Sequence, residues 1–494
     1  MIVTKNFYTN CHSLGDDIVY RGVKDNNRVM ERIQYSPTLF LPTRTSSKFK
    51  TLFGRAVEPM NFSTMTEARK FLDRYKEVEN FQIYGNVHFH FCYLSDLFRD
   101  TIEYDLNQIK VAVIDIEVGS DNGFPEAELA NEPVTAITVK IDNVFYVFSC
   151  GEFKSKYIKK EDPDIEYCKC ENERDLLSKF LDFWQKNYPD IITGWNVAIF
   201  DIPYLVNRIS KVLSEDQSKK LSPWKKFSRR TITLRGKLHE TFSILGISIL
   251  DYWELYLKYS PNPSQESYKL DYIANVELGI GKVQFEGNLR NLYKDNFQKF
   301  IEYNIRDVEL VAKLEEKLRL IELVIILAYD SRVNYDDVLS QVRSWDTLIF
   351  NELRKQHIVV PPKKSVENEQ SFAGAYVKEP TVGLHRWISC FDAASLYPSL
   401  IRALNISPET IVEDEFQQVS CDELLAKTID TGYLKEKDIT LAANGHHFQR
   451  SPQGILPQII EKMYKERQEY KAKKIKAEKE LEVVKKELKR RHLA

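Results

Sequence analysis

Cysteine is sparse in this chain, seven residues in 494, and only Cys168 and Cys170 lie close together. No second Cys or His pair accompanies them, which excludes the usual zinc spacing and leaves reduced thiols, as in a cytosolic protein. No apolar run reaches membrane-spanning length, so no membrane segment is expected. The start, Met1-Ile-Val-Thr-Lys-Asn, lacks a signal-peptide pattern, and a soluble cytoplasmic protein is the expectation. Low-complexity tracts are absent too, which excludes a disordered or fibrous class. Neither charge predominates, the formal net charge being -2, but the balance is uneven: residues 461–494 hold 13 Lys and Arg against seven Glu. A basic end of this kind suits phosphate or an acidic partner.

What the chain does have is ordinary hydrophobic content, 43%, and abundant aromatics, 12%. Its length implies about three domains, each able to bury its own core. The stretch that organises them is Val111-Ala-Val-Ile-Asp-Ile-Glu-Val118, where two carboxylates interrupt a run that otherwise reads as buried sheet. Residues i and i+2 of a strand share a face, so Asp115 and Glu117 aim two acids at one spot. Like charges that close drive one acid to take up a proton unless a cation lies between them. Mg2+ or Mn2+ takes carboxylate oxygens, and an ion pair of this sort can activate water and stabilise the leaving oxygen at a phosphodiester. Solvated acids at a strand end are the alternative for the dipeptide taken alone.

Residues 1–106 alternate short apolar runs (Leu39–Pro42, Phe81–Tyr84, His88–Tyr93) with a helical Thr64–Tyr75 and read as a small α+β domain. His88 and His90 would share one strand face; with no third ligand near, packing explains them. After the organising strand, residues 131–140 and 143–148 read as antiparallel neighbours with a turn at Ile141-Asp142, and Asn172–Asn187 as a helix with Leu176, Leu177, Phe180, Leu181 and Trp184 on its apolar face. A strand at Ile191-Ile-Thr193 leads to Asp201, which opens a helix. That aspartate is either an N-cap or a third site carboxylate at a strand-to-helix turn. Residues 231–239 read as a hairpin turning at Gly236, and 247–252 as a strand. In Phe300-Ile-Glu-Tyr303-Asn-Ile-Arg-Asp307, the four-residue spacing puts a phenol and a carboxylate on one helix face.

The order Asp115-x-Glu117, Asn196 to Asp201, Tyr303-x-x-x-Asp307 resembles the proofreading exonuclease of family B DNA polymerases. Thr193-Gly-Trp-Asn-Val197, Phe200-Asp-Ile-Pro-Tyr204 and Ser267-Tyr-Lys-Leu-Asp-Tyr-Ile273 are similar to the polymerases of T-even-type bacteriophages. The resemblance implies a ribonuclease-H-like α/β exonuclease domain over 107–318. It implies that Asp115, Glu117, Asp201 and Asp307 hold two Mg2+ ions, or Mn2+ in their place, and that Tyr303 orients the attacking water. Single-stranded DNA would be held by stacking and backbone contacts.

Farther on, Ser371–Pro380 resembles the family's link between exonuclease and polymerase, and Trp387-Ile-Ser-Cys-Phe-Asp392-Ala-Ala-Ser-Leu-Tyr397 its first polymerase motif, in a strand that turns into a helix. By that match Asp392 and the Ala393 carbonyl bind metal, while Ser395, Leu396 and Tyr397 cradle the incoming dNTP. Residues 366–451 would be a partial palm and 452–494 the first fingers helix, with Arg467 and Lys471 on the nucleotide phosphates. Residues 319–365 would complete the N-terminal domain. No Tyr-Gly-Asp-Thr-Asp-Ser-like segment follows. The expectation is therefore the N-terminal portion of a DNA polymerase acting on primer-template, in the host cytoplasm if viral. A second chain would carry the remaining motifs and the sliding-clamp contact and would pack on the seam Ala477, Leu481, Val484, Leu488. The rival expectation is a nucleic-acid-binding or regulatory fragment.

Overall fold

The computed structural model describes residues 5–79, 81–119, 125–154, 164–234, 237–361 and 377–491. The chain divides into two compact units, Met1–Phe40 with Pro59–Asn351, and Leu41–Glu58 with Glu352–Ala494.

The first unit is organised by a six-stranded mixed sheet. Its strands run, edge to edge, Asp164–Lys169, Val144–Ser149, Val134–Ile141, Val111–Val118, Ile191–Gly194 and Ser248–Asp251. The two pairings among the strands from Val111 to Ser149 are antiparallel, and in them Asp115 faces Thr138 and Glu117 faces Ala136. Ile191–Gly194 and Ser248–Asp251 add on in parallel, each reached through a crossover, and parallel strands of this kind are buried on both faces. The helix Glu173–Lys186 covers one face. Asn172 caps it by accepting from the Asp175 N–H, and the five apolar residues expected on its inner side are all buried, Trp184 donating its indole N–H to the Leu221 carbonyl at 3.0 Å. The 22-residue helix Phe297–Leu318 packs on Val111–Val118 and Val134–Ile141 and buries Phe300, Ile301, Ile305 and Val308. Each such side chain contributes about 1.5–3 kcal/mol of burial.

At the N-terminus, Phe7–Leu14, Asp17–Lys24 and Asn27–Gln34 form an antiparallel meander. Asp25 and Asn26, at φ 50° and 64°, make the second turn, the conformation a two-residue hairpin requires. Arg28 clamps both oxygens of the fully buried Asp190 at 2.7 Å, tying the meander to the start of the parallel strands. Tyr8 donates to the carbonyls of Ala328 and Val333, and Asn334 holds both backbone groups of Cys11, so the chain near 330 packs on the first strand. The helix Met65–Tyr75, capped by Thr64, is where the pattern put it. The stretch from His88 is different. It forms a helix, Phe89–Leu97, instead of a strand, and His88 and His90 do not share a strand face. Apolar Phe89, Phe91 and Leu94 are buried there, and a short apolar run carries no period that separates the two structures.

In the second unit, Ile358–Val359 pairs in parallel with Phe49–Thr51, and Ile411–Phe416, His446–Gln449 and Ile439–Leu441 form a small antiparallel sheet. Asn405, at φ 55°, ends the helix Leu396–Leu404; its side chain donates to the carbonyls of Gln449 and Pro452 and accepts from the Gly454 N–H, setting the start of the 36-residue helix Ile455–Arg490. The strand expected over Trp387–Ala393 is absent: residues 377–393 have no regular structure, and a strand is not stable without a partner to complete its hydrogen bonds. Most of Ser371–Pro380 and the Gly236 turn lie outside the described residues. No helix among the described residues is long and apolar enough to cross a membrane.

Candidate active site

The site begins with the pleat of Val111–Val118, which turns Asp115 and Glu117 to the face covered by the helix Phe297–Leu318. That helix presents Tyr303, Asn304 and Asp307. Ligand-type oxygens of Asp115, Glu117 and Asp307 all lie within 4.8 Å of one another. Glu117 is 8% and Asp307 4% exposed, while Asp115 keeps a more open edge.

Asp201 arrives differently. Ile191–Thr193 pairs with Val111–Val113, and beyond Gly194 that neighbour turns away. The Ile116 N–H, two pleats farther on, is taken up by Asp201 Oδ1 at 3.0 Å. Asp201 is therefore not an N-cap: Phe200 occupies that position, without a side-chain capping bond, and Asp201 is the first residue of the helix Asp201–Val212. Gly194 is needed at this bend, since a Cβ there would lie 2.5 Å from the Ile114 carbonyl oxygen. The loop is then held by Asp251, whose carboxylate accepts the N–H groups of Asn196 (3.1 Å), Ala198 (3.0 Å) and Trp253 (3.0 Å). Burial pushes Asp251 up to about 7 despite those three donors.

Crowding governs the electrostatics. Burial, then Asp307, Asp201 and Glu117, hold Asp115 well above the usual carboxylate range. Burial and Asp307 push Glu117 up to about 8, and burial lifts Asp201 to about 7. Asp307 is also raised by burial, against the pull of Lys282. Lys282 Nζ lies 2.5 Å from Asp307 Oδ2 and 3.0 Å from the Tyr303 hydroxyl; burial disfavours its charge, but Asp307 and Tyr303 more than offset that. Tyr303 is pushed up to about 12 by burial and by Asp307 and stays a neutral phenol. The other oxygen of Asp307 is buried with no hydrogen-bond partner. An oxygen-only donor set with an orphaned carboxylate oxygen suits a hard divalent cation.

Lys282 had no signature in the sequence, since it belongs to an irregular loop. Its backbone N–H is held by Asp271 Oδ1 at 2.7 Å, and the Gly281 carbonyl accepts from Arg306 Nε at 3.2 Å, so both groups of the peptide that leads into Lys282 are anchored. Asp271 lies eleven positions upstream, and no helix or strand period connects the two.

The remaining candidates are in the second unit. Asp392 and Ala393 lie in the irregular segment, and Asp392 joins no cluster of potential metal ligands among the described residues. Ser395 stands at φ 52° immediately before the helix that begins with Leu396 and Tyr397, both exposed. Arg467 and Lys471 lie one turn apart on the exposed long helix.

Comparison with known proteins adds two family matches. Residues 62–273 match the model described as DNA polymerase family B, exonuclease domain, and residues 336–493 that of DNA polymerase family B. Ninety-eight per cent of the chain aligns, at 34% identity, with the DNA-directed DNA polymerase of Escherichia phage RB69 and, at the same identity, with that of Enterobacteria phage T4. The chain spans 56% and 55% of the length of these two relatives. DNA polymerase 1 of Sulfolobus acidocaldarius is similar at 27% identity over 64% of this chain and 36% of its own.

Proposed function

Because the chain belongs to DNA polymerase family B, we propose that its first unit hydrolyses DNA from the 3′ end, and that its second carries part of the nucleotide site of a DNA-directed DNA polymerase. The observation that carries the first reading is the convergence of Asp115, Glu117 and Asp307 within 4.8 Å. The central sheet would be the ribonuclease-H-like core of the exonuclease. Asp115, Glu117, Asp201 and Asp307 would hold two Mg2+ ions, or Mn2+ in their place, which when bound lower the pKa of water and stabilise charge on phosphate oxygens.

The chain's own groups have definite tasks in that setting. Lys282 donates to the Tyr303 oxygen, so the phenolic proton points elsewhere and can position a water or a phosphate oxygen. Lys282 also sets a fixed positive charge beside the place where negative charge grows during phosphodiester cleavage. Asp201, bonded to the backbone between Asp115 and Glu117, keeps the strand edge and the helix start in register. Single-stranded DNA would be bound through stacking and backbone contacts, which need no base-specific reading.

For the second unit, Asp392 and Ala393 would face the metal, Ser395, Leu396 and Tyr397 the dNTP, and Arg467 and Lys471 its phosphates. Templated extension of a primer would need the remaining polymerase motifs in the part of the relatives' length that this chain does not match, and that part would also carry the sliding-clamp contact. That part, on a second chain or otherwise joined, would cover the exposed Leu481, Val484 and Leu488. The host cytoplasm is the proposed place of action. The test is a 3′-exonuclease assay on end-labelled single-stranded DNA with Mg2+ or with a chelator. Cation-dependent shortening from the 3′ end supports the reading. Binding without shortening would mark the chain as a DNA-binding module and overturn it.

A further inference from the structure

We infer that Asn304, oriented by Thr138, is a positioning residue that sets the Asp115 carboxylate for cation binding, an inference that rests on the cation site proposed above. Asn304 follows Tyr303 on the helix and is 0% exposed, as is Thr138 on the strand beside Asp115. The Asn304 amide nitrogen donates to Asp115 Oδ2 at 2.6 Å and leans on the Asp115 backbone carbonyl at 3.4 Å. Its amide oxygen accepts from the Thr138 hydroxyl. Thr138 is the residue directly across the ladder from Asp115.

The polarity of this chain of bonds follows from its partners. A carbonyl and an ionised, cation-binding carboxylate only accept, whereas a hydroxyl both donates and accepts. The amide must therefore turn its NH2 toward Asp115 and its oxygen toward Thr138; reversed, it would set an oxygen against two acceptors. Thr138 satisfies the amide oxygen in that orientation by donating to it, and Asn304 in turn engages one oxygen of Asp115 and restricts the rotation of that carboxylate. Packing alone gives no reason for the pair. A leucine and a valine would fill the same space without burying an amide and a hydroxyl, each of which costs free energy unless bonded. In metal sites, groups that orient a ligand in this way change affinity about 10–100-fold when removed.

The experiment is a calorimetric titration of the full chain with Mn2+, paired with thermal unfolding in chelator. The double variant Thr138→Val/Asn304→Leu removes both polar partners and keeps their volume, so its cation-free unfolding midpoint is expected to stay near that of the parent. Its Mn2+ affinity is expected to fall about 10–100-fold. Thr138→Ser, which keeps the hydroxyl, should bind Mn2+ like the parent, and Thr138→Val should bind it more weakly; this pair decides the matter if the double variant does not fold. Equal affinity in the parent and in the double variant, or equal losses in Thr138→Ser and Thr138→Val, would overturn the inference while leaving the cation site standing. Absence of Mn2+ binding by the parent, or unchanged binding by Asp115→Ala, would overturn the cation site itself and the inference with it.

Discussion

Asp201 and Asp307, 3% and 4% exposed, are carried by helices packed on a six-stranded sheet, and their carboxylates are held by the Ile116 N–H and the Lys282 ammonium respectively. Trp387 and Phe391, 99% and 93% exposed, flank the candidate metal ligand Asp392 in a segment with no regular structure. The two sets of residues were equally recognisable as motifs. Only the first is held in a fixed arrangement by its own unit, because its strand has ladder partners on both sides and its helix has a core to bury. A motif identifies residue types and their order; preorganisation requires the packing around them.

Removing a site acid should separate the two regions most sharply. Asp307→Ala is expected to lower 3′-exonuclease turnover on single-stranded DNA about a thousandfold, the scale of losing one preorganised electrostatic group. Trp387→Ser, in the other unit, should leave that rate unchanged. Comparable losses from both would dissolve the distinction. Stability gives the next contrast: Phe180→Ala, in the covered core, should cost about 3–5 kcal/mol in denaturant unfolding of the first unit. Trp387→Ala should stay within about 0.5 kcal/mol.

Lys282→Met is expected to lower the exonuclease rate about a hundredfold through kcat more than KM, with partial recovery in Lys282→Arg. An effect confined to KM would mean that the lysine only binds DNA. Asp251→Asn should have the smallest effect that is still measurable. It puts an amide against backbone donors, with a cost of about 1–3 kcal/mol in stability. The consequent slackening of the loop before Asp201 should also lower exonuclease turnover, and an unchanged rate at reduced stability would show that the loop does not set Asp201.

Much of the first unit was legible because its signals are local. A continuous apolar run placed Val111–Val118 and period two put its acids on one face, a 3.6-residue period placed the helix of Phe180 and Trp184, and spacing of four put Tyr303 and Asp307 on one face. The histidine-bearing run at 88–93 was misread as a strand, since a short apolar run fits either structure until its neighbours decide. The capping alternative for Asp201 failed for a related reason: an aspartate at a helix start looks the same whether it accepts from its own helix or, as here, from a strand 85 positions earlier.

By itself, the sequence determined which acids and which tyrosine this protein offers and on which elements they ride, since side-chain periodicity is a property of a helix or strand taken alone. The tertiary structure alone decided that Lys282 reaches Asp307 and Tyr303, that Asp251 holds the loop before Asp201, and that Thr138 and Asn304 engage Asp115. These contacts join residues from 21 to 189 positions apart. No local period encodes such distances; they arise when burial of the apolar faces brings distant segments together, and unpaired polar groups are left to find partners across the new interface.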